Sequence, residues 1–98
     1  MQFLVIAYDG TDDRAMERRM AARETHLAGV VKMKEEGKAI YGVAILNERE
    51  QMIGSVLVVD YPTRADVDAW LRTEPYVVGD VWRKIEVLPA KVPPMFVK

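Results

Sequence analysis

A chain of 98 residues fits one domain and leaves no room for a second, so residues 1–98 are read as a single unit with a short tail from 91 onward. Half of the residues are apolar, and 14 Lys and Arg stand against 15 Asp and Glu for a net charge of −1, without the basic surplus or stripe of a nucleic-acid binder. There is no cysteine, hence no disulfide, thiolate nucleophile or cysteine-based metal site. No apolar run approaches the roughly 18 residues needed to cross a bilayer. Together these features predict a cytoplasmic protein that engages neither nucleic acid nor membrane.

The segment Gln2–Tyr8 is nearly continuous in apolar and β-branched residues and reads as a covered or central strand, too short and too poor in basic residues for a signal peptide. Asp9-Gly10 ends it, and Thr11, Asp12 or Asp13 can cap the helix that follows. That helix is predicted over Asp13–Glu36. Met16, Met20, Leu27 and Val31 fall on one stripe, which is expected to face the sheet, and Gly37 sits where a left-handed C-cap belongs. Lys38–Leu46 and Met52–Asp60 are strands of an antiparallel hairpin joined by the polar turn 47–51. Gly42 and Gly54 inside them mark either a close backbone approach or simple packing. Thr63 and Asp66 form a capping box for a helix reaching about Arg72, with Val67, Trp70 and Leu71 as its apolar face, and Pro75 stops it. A connector containing Gly79 leads to a last strand, Val81–Leu88, and then to an extended tail.

The order β-α-β-β-α-β is the ferredoxin-like plan of the α+β class: a four-stranded antiparallel sheet with two helices on one face. Strands one to three are apolar on nearly every residue, whereas a sheet with one face in water alternates. The second face is therefore expected to be buried against the same face of another copy, giving a homodimer built as a dimeric α/β barrel.

The residues suited to chemistry gather on the long helix. Arg19, Arg23 and the lone histidine, His26, lie within about 60° of one another on its surface. Asp9, at the end of the first strand, is placed to offer them a carboxylate. A histidine held by an aspartate has its tautomer fixed and suits general acid/base work near neutral pH. The same residues also fit a plain structural role, with the arginines pairing at the surface with Glu17 or Glu24. Tyr76 and Trp70 are candidates to line a pocket or to fill the core. One histidine without cysteine offers no metal-ligand cluster, and no glycine-rich phosphate loop or dinucleotide fingerprint is present, so neither metal nor cofactor is expected.

The stretch Arg19-x-x-x-Arg23-x-x-His26-Leu27 after a strand ending in Tyr8-Asp9, together with Glu74-Pro75-Tyr76-x-x-Gly79, resembles the YciI-like family over nearly the whole chain. The resemblance implies a ferredoxin-like subunit, a dimeric barrel and a pocket holding a His-Asp pair, here His26 and Asp9. It also implies chemistry of the kind linked to that family, dehydrochlorination of a chlorinated hydroxyquinol. Two departures stand out: Val43 follows Gly42 where the family commonly has proline, and Glu74 replaces an aspartate. The leading expectation is a cofactor-free enzyme acting by elimination or isomerisation on a small cyclic or anionic molecule. In it His26 is the acid/base, Asp9 orients it, and Arg19, Arg23 and Tyr76 bind the substrate. A non-catalytic small-anion-binding or accessory module is the alternative. A third reading places function in protein contacts through the tail Val92–Val97.

Overall fold

The computed structural model describes residues 1–97. Its elements are β1 (Gln2–Asp9), α1 (Ala15–Glu35), β2 (Ala39–Leu46), β3 (Met52–Asp60), α2 (Arg64–Leu71), α3 (Pro75–Val78) and β4 (Trp82–Ala90), followed by a 3-10 turn, η1 (Pro94–Phe96). The strands form one antiparallel sheet in the order β2-β3-β1-β4, the ferredoxin-like arrangement expected. Among the described residues no helix is long and apolar enough to cross a membrane. The last tail residue, Lys98, lies outside the described residues.

Local chemistry accounts for most boundaries. Gly37 takes φ +76°, and the bonds Gly37 N–H to Lys34 O (3.1 Å) and Lys38 N–H to Met33 O (2.8 Å) close α1 in a Schellman motif. Thr63 and Asp66 make the expected reciprocal capping box at α2. The start of α1 differs from expectation. No side chain makes the N-cap hydrogen bond, and the helix begins at Ala15; Asp12 grips Arg18 through both carboxylate oxygens at 2.7 and 2.8 Å and accepts from the Arg14 N–H at 3.3 Å. Pro75 ends α2 as predicted, but it also opens the short α3. Proline suits a first helical position, and the Glu74 side chain accepts from the Tyr76 N–H at 3.2 Å as its cap.

Alternation along β1 turns Phe3, Val5, Ala7 and Asp9 towards the helices, where they meet Leu57 and Val59 of β3. Val67 of α2, Tyr76 of α3 and Met33 of α1 join this core, with Ala39, Tyr61, Val81 and Trp82 around them.

The roll of α1 overturns one expectation. Its sheet-facing residues are Arg19, His26 and Met33, whereas Met16, Met20, Leu27 and Val31 remain substantially exposed. At 100° per residue these two sets are centred about 110° apart on the helix.

The opposite sheet face carries Leu4, Ile6, Val56, Val58, Tyr41 and Val43 in register, in rows such as Tyr41–Val58–Leu4–Leu88. None of the described helices lies on this face, and Tyr41 is 72 % exposed.

Of the two strand glycines, Gly54 is the close approach. A Cβ there would sit 2.5 Å from the Ala7 carbonyl oxygen, whereas at Gly42 the nearest atom is an ordinary 3.5 Å away. Gly54→Ala is therefore expected to destabilise by about 2–3 kcal/mol in urea unfolding, and Gly42→Ala by less than about 0.5 kcal/mol. Equal midpoints for the two variants would contradict this account of Gly54.

Candidate active site

The site grows from a charge that strand alternation forces inward. Asp9 closes β1 on its buried side, and a buried carboxylate needs compensation. Arg19, on the sheet-facing side of α1, supplies it: Nη1 donates to both Asp9 oxygens at 2.9 and 3.0 Å, and Nη2 donates to Ser55 Oγ at 3.0 Å. Burial pushes the Asp9 carboxyl above its usual range, and the guanidinium offsets part of that rise. The Arg19 guanidinium carbon lies 4.7 Å from the Tyr76 ring centre, and its Nε is buried without a partner among the described residues.

Seven positions further along α1, and therefore on the same face, His26 is also buried. Its Nδ1 pairs with Glu74 Oε1, the carboxylate that also caps α3. The imidazole stacks on Tyr76 with centroids 3.9 Å apart and planes inclined by 15°, and Trp82 meets it edge-on at 5.8 Å. The Trp82 indole N–H reaches Ser55 Oγ at 3.3 Å, which ties the histidine group to the arginine group. With Nδ1 engaged, Nε2 is left without a partner among the described residues, and it is not an atom sealed from solvent.

Both groups open on a cleft of about 220 Å³ between α1 and the edge strand β2. Arg19, Arg23, His26, Ser55 and Tyr76 line it together with apolar Leu27, Val30 and Met52, and Gly42 and Ala44 of β2 leave the opposite wall thin. Burial raises the Tyr76 phenol above its usual range, so it presents a hydroxyl and not a phenolate at neutral pH. A larger groove of about 780 Å³ separates α1 from α2 and has Glu74 in its lining, but Arg19, His26 and Ser55 face the smaller cleft. Among the described residues no three His, Asp or Glu side chains gather as metal ligands.

The expected residues are thus brought together, but with different partners. Asp9 does not orient His26; it holds Arg19, and Glu74 holds His26. The reason is distance along the helix. Arg19 lies near the α1 end that meets the close of β1, whereas His26 lies about 10 Å further along the axis, level with the segment after α2. Arg23 makes no ion pair with the described residues; it is exposed at the rim of the cleft. Tyr76 is 1 % exposed and forms part of the wall. Trp70 is outside this cleft, packed near Tyr61 at 6.1 Å. Glu74, Ser55 and Trp82 were not singled out as site residues. Glu74 stands out in the sequence only as a departure from an aspartate, in the segment Glu74-Pro75-Tyr76. Ser55 had a visible signal, a hydroxyl on the inward positions of a strand otherwise filled by Leu57 and Val59.

Asp9→Asn leaves the Arg19 guanidinium buried without a carboxylate. It is expected to lower unfolding free energy by about 3 kcal/mol in urea denaturation. A loss below about 1 kcal/mol would mean that the pair does not organise this region.

The chain is 24 % identical over 97 residues to Protein YciI of Escherichia coli and, with the same identity, to Protein YciI of Shigella flexneri, covering 93 % of this chain and 97 % of each relative. Among solved structures, a 5-chloro-2-hydroxyhydroquinone dehydrochlorinase from Burkholderia phenoliruptrix, in complex with 2,5-dihydroxybenzoquinone, superposes with a TM-score of 0.83 at 20 % identity, over 97 % of this chain and 98 % of that one. A putative antibiotic biosynthesis monooxygenase from Nitrosomonas europaea shares the fold more loosely, with a TM-score of 0.53 at 15 % identity, over 89 % of this chain and 86 % of that one. At these identities the two structures speak for the fold. The family assignment rests on the match of residues 1–91 to the YCII-related domain, and the chain belongs to that family.

Proposed function

We propose that the cleft is the active site of a cytoplasmic, cofactor-independent enzyme that moves a proton on a small cyclic or anionic organic molecule, with elimination or isomerisation as the outcome. The observation that carries this reading is the state of His26. The ring is buried and stacked on Tyr76, its Nδ1 is held by Glu74, and its Nε2 has no partner among the described residues and lies beside a cleft lined by two arginines. A carboxylate at Nδ1 fixes the tautomer that leaves Nε2 as the base, the arrangement general acid/base catalysis requires.

In an elimination, His26 Nε2 accepts the proton from a C–H or O–H bond of the substrate. The electron pair passes into an enolate-type system and expels the leaving group as its anion, chloride in a dehydrochlorination. In this reading Arg19, Arg23 and Tyr76, which line the cleft, hold the oxygen on which negative charge develops. The likeness to a dehydrochlorinase structure supports testing this class first.

The test is chloride release from 5-chloro-2-hydroxyhydroquinone. His26→Ala is expected to lower turnover by on the order of 100-fold or more, and Glu74→Gln by about tenfold, while both proteins stay folded. Unchanged turnover in His26→Ala would remove the mechanism. Thermal stabilisation by the compound without product would favour the alternative, a small-anion-binding module, for which Arg23 at the rim is the suited residue.

The enzyme acts as a homodimer in this reading. The apolar rows on the helix-free face of the sheet are the surface for a second copy, and two such sheets face to face make a dimeric barrel. Light scattering after size exclusion is expected to report a dimer for the wild type and a monomer or aggregate for Val56→Asp. A wild-type monomer at micromolar concentration would overturn the assembly.

A further inference from the structure

Ser55 holds a position that no role assigned so far uses. Its Oγ accepts from Arg19 Nη2 at 3.0 Å and from Trp82 Nε1 at 3.3 Å. A hydroxyl has two acceptor lone pairs and one proton, so both acceptor positions are filled. No described residue accepts the Ser55 proton, although the side chain is only 3 % exposed and lines the cleft. The arrangement is also locked. Asp9 pins Arg19, and the Trp82 ring is wedged against Tyr76 at 5.5 Å and His26 at 5.8 Å. Rotating the hydroxyl cannot turn it into an acceptor for a ligand, because any rotation still faces a guanidinium and an indole N–H.

We infer that Ser55 is a specificity residue: a donor-only hydroxyl, sharpened by the cation it accepts from, that selects ligands presenting an unprotonated oxygen to the floor of the cleft. This rests on the reading of the cleft as a ligand site and adds to it the protonation state of the group bound. A phenolate, enolate, carboxylate or quinone oxygen accepts the Ser55 proton. A neutral hydroxyl set there with its proton towards Ser55 finds no acceptor and leaves a buried donor unsatisfied. Hydrogen bonds in which one partner is ionic are the stronger kind, so the selection favours the anion.

The probes are 2,5-dihydroxybenzoquinone, a vinylogous acid that is anionic at neutral pH, and hydroquinone, a ring of the same size with un-ionised hydroxyls. Both are titrated calorimetrically at neutral pH under anaerobic conditions. The wild type is expected to bind the quinone anion at least about tenfold tighter than hydroquinone. Ser55→Ala is expected to lose about tenfold for the anion and little for hydroquinone, and Ser55→Thr to retain the preference. Because Ser55→Ala also leaves Arg19 and Trp82 donors unsatisfied, Trp82→Phe serves as a second arm. It frees one Ser55 lone pair, so the ratio of the two affinities should fall while the anion still binds. A wild type without preference for the anion overturns the assignment. So does a preference that survives in both Ser55→Ala and Trp82→Phe, or in Trp82→Phe alone if Ser55→Ala does not fold. A wild type that discriminates between the probes but turns over nothing leaves Ser55 in its role and removes only the enzymatic reading. Turnover that needs His26 but ignores Ser55 does the reverse.

Discussion

The ion pair between Asp9 and Arg19 is the constraint from which the rest of the site follows. Asp9 lies inside because Phe3, Val5 and Ala7 lie inside, and strand alternation gives the last residue of the strand no choice. A carboxylate in that position is costly unless a cation meets it there, and among the helix side chains Arg19 does so through both oxygens. Once Arg19 is drawn inward, the roll of α1 is set. His26 lies seven residues later, two turns on, and is carried inward on the same face to meet Glu74. The histidine site is thus a consequence of the arginine site, and Ser55, shared between Arg19 and Trp82, is the link between them.

This ordering of effects has a cost in apolar burial. Full burial of a Met, Leu or Val side chain stabilises by about 1.5–3 kcal/mol, yet Met20, Leu27 and Val31 of α1 stay about half exposed. Turning the helix to bury them would strip Asp9, Ser55 and Glu74 of their partners together. Uncompensated buried charges and donors then outweigh the gain, because breaking a buried ion pair costs about 3–5 kcal/mol and each unsatisfied buried donor about 1–3 kcal/mol. The chain therefore places polar groups at its helix–sheet interface and leaves an apolar stripe beside the cleft, where Leu27 forms part of the wall.

The cleft exists because the edge strand is thinly furnished. β2 shows Gly42 and Ala44 to the helix side, and these fill little of the space under α1. Gly54 performs a related task from within the sheet. With no side chain, it lets β3 close on the Ala7 carbonyl, and its neighbour Ser55 comes to rest against Arg19. The aromatic rings complete the enclosure: Tyr76 roofs both the imidazole and the guanidinium, so one side chain supports both halves of the site.

What the sequence determined by itself is whatever depends on neighbours along the chain. The element order, the Gly37 helix stop, the Thr63–Asp66 capping box and the inward or outward parity of each strand are local, set by φ preferences, short-range hydrogen bonds and a two-residue period. Asp9, Arg19, Arg23, His26 and Tyr76 stand out in the sequence by type in their segments, and the fold brings them near one cleft: all but Asp9 line it, and Asp9 holds Arg19 from behind. The pairing was not legible. Periodicity placed the apolar stripe of α1 on the sheet, and only the tertiary structure decided that Arg19 and His26 go there instead. Which carboxylate meets which cation depends on where separate elements end in space. Glu74 is 48 residues from His26, and Ser55 is 36 from Arg19. No local rule weighs a distant buried charge against a nearby apolar stripe; that balance is struck only when the helix and the sheet close together.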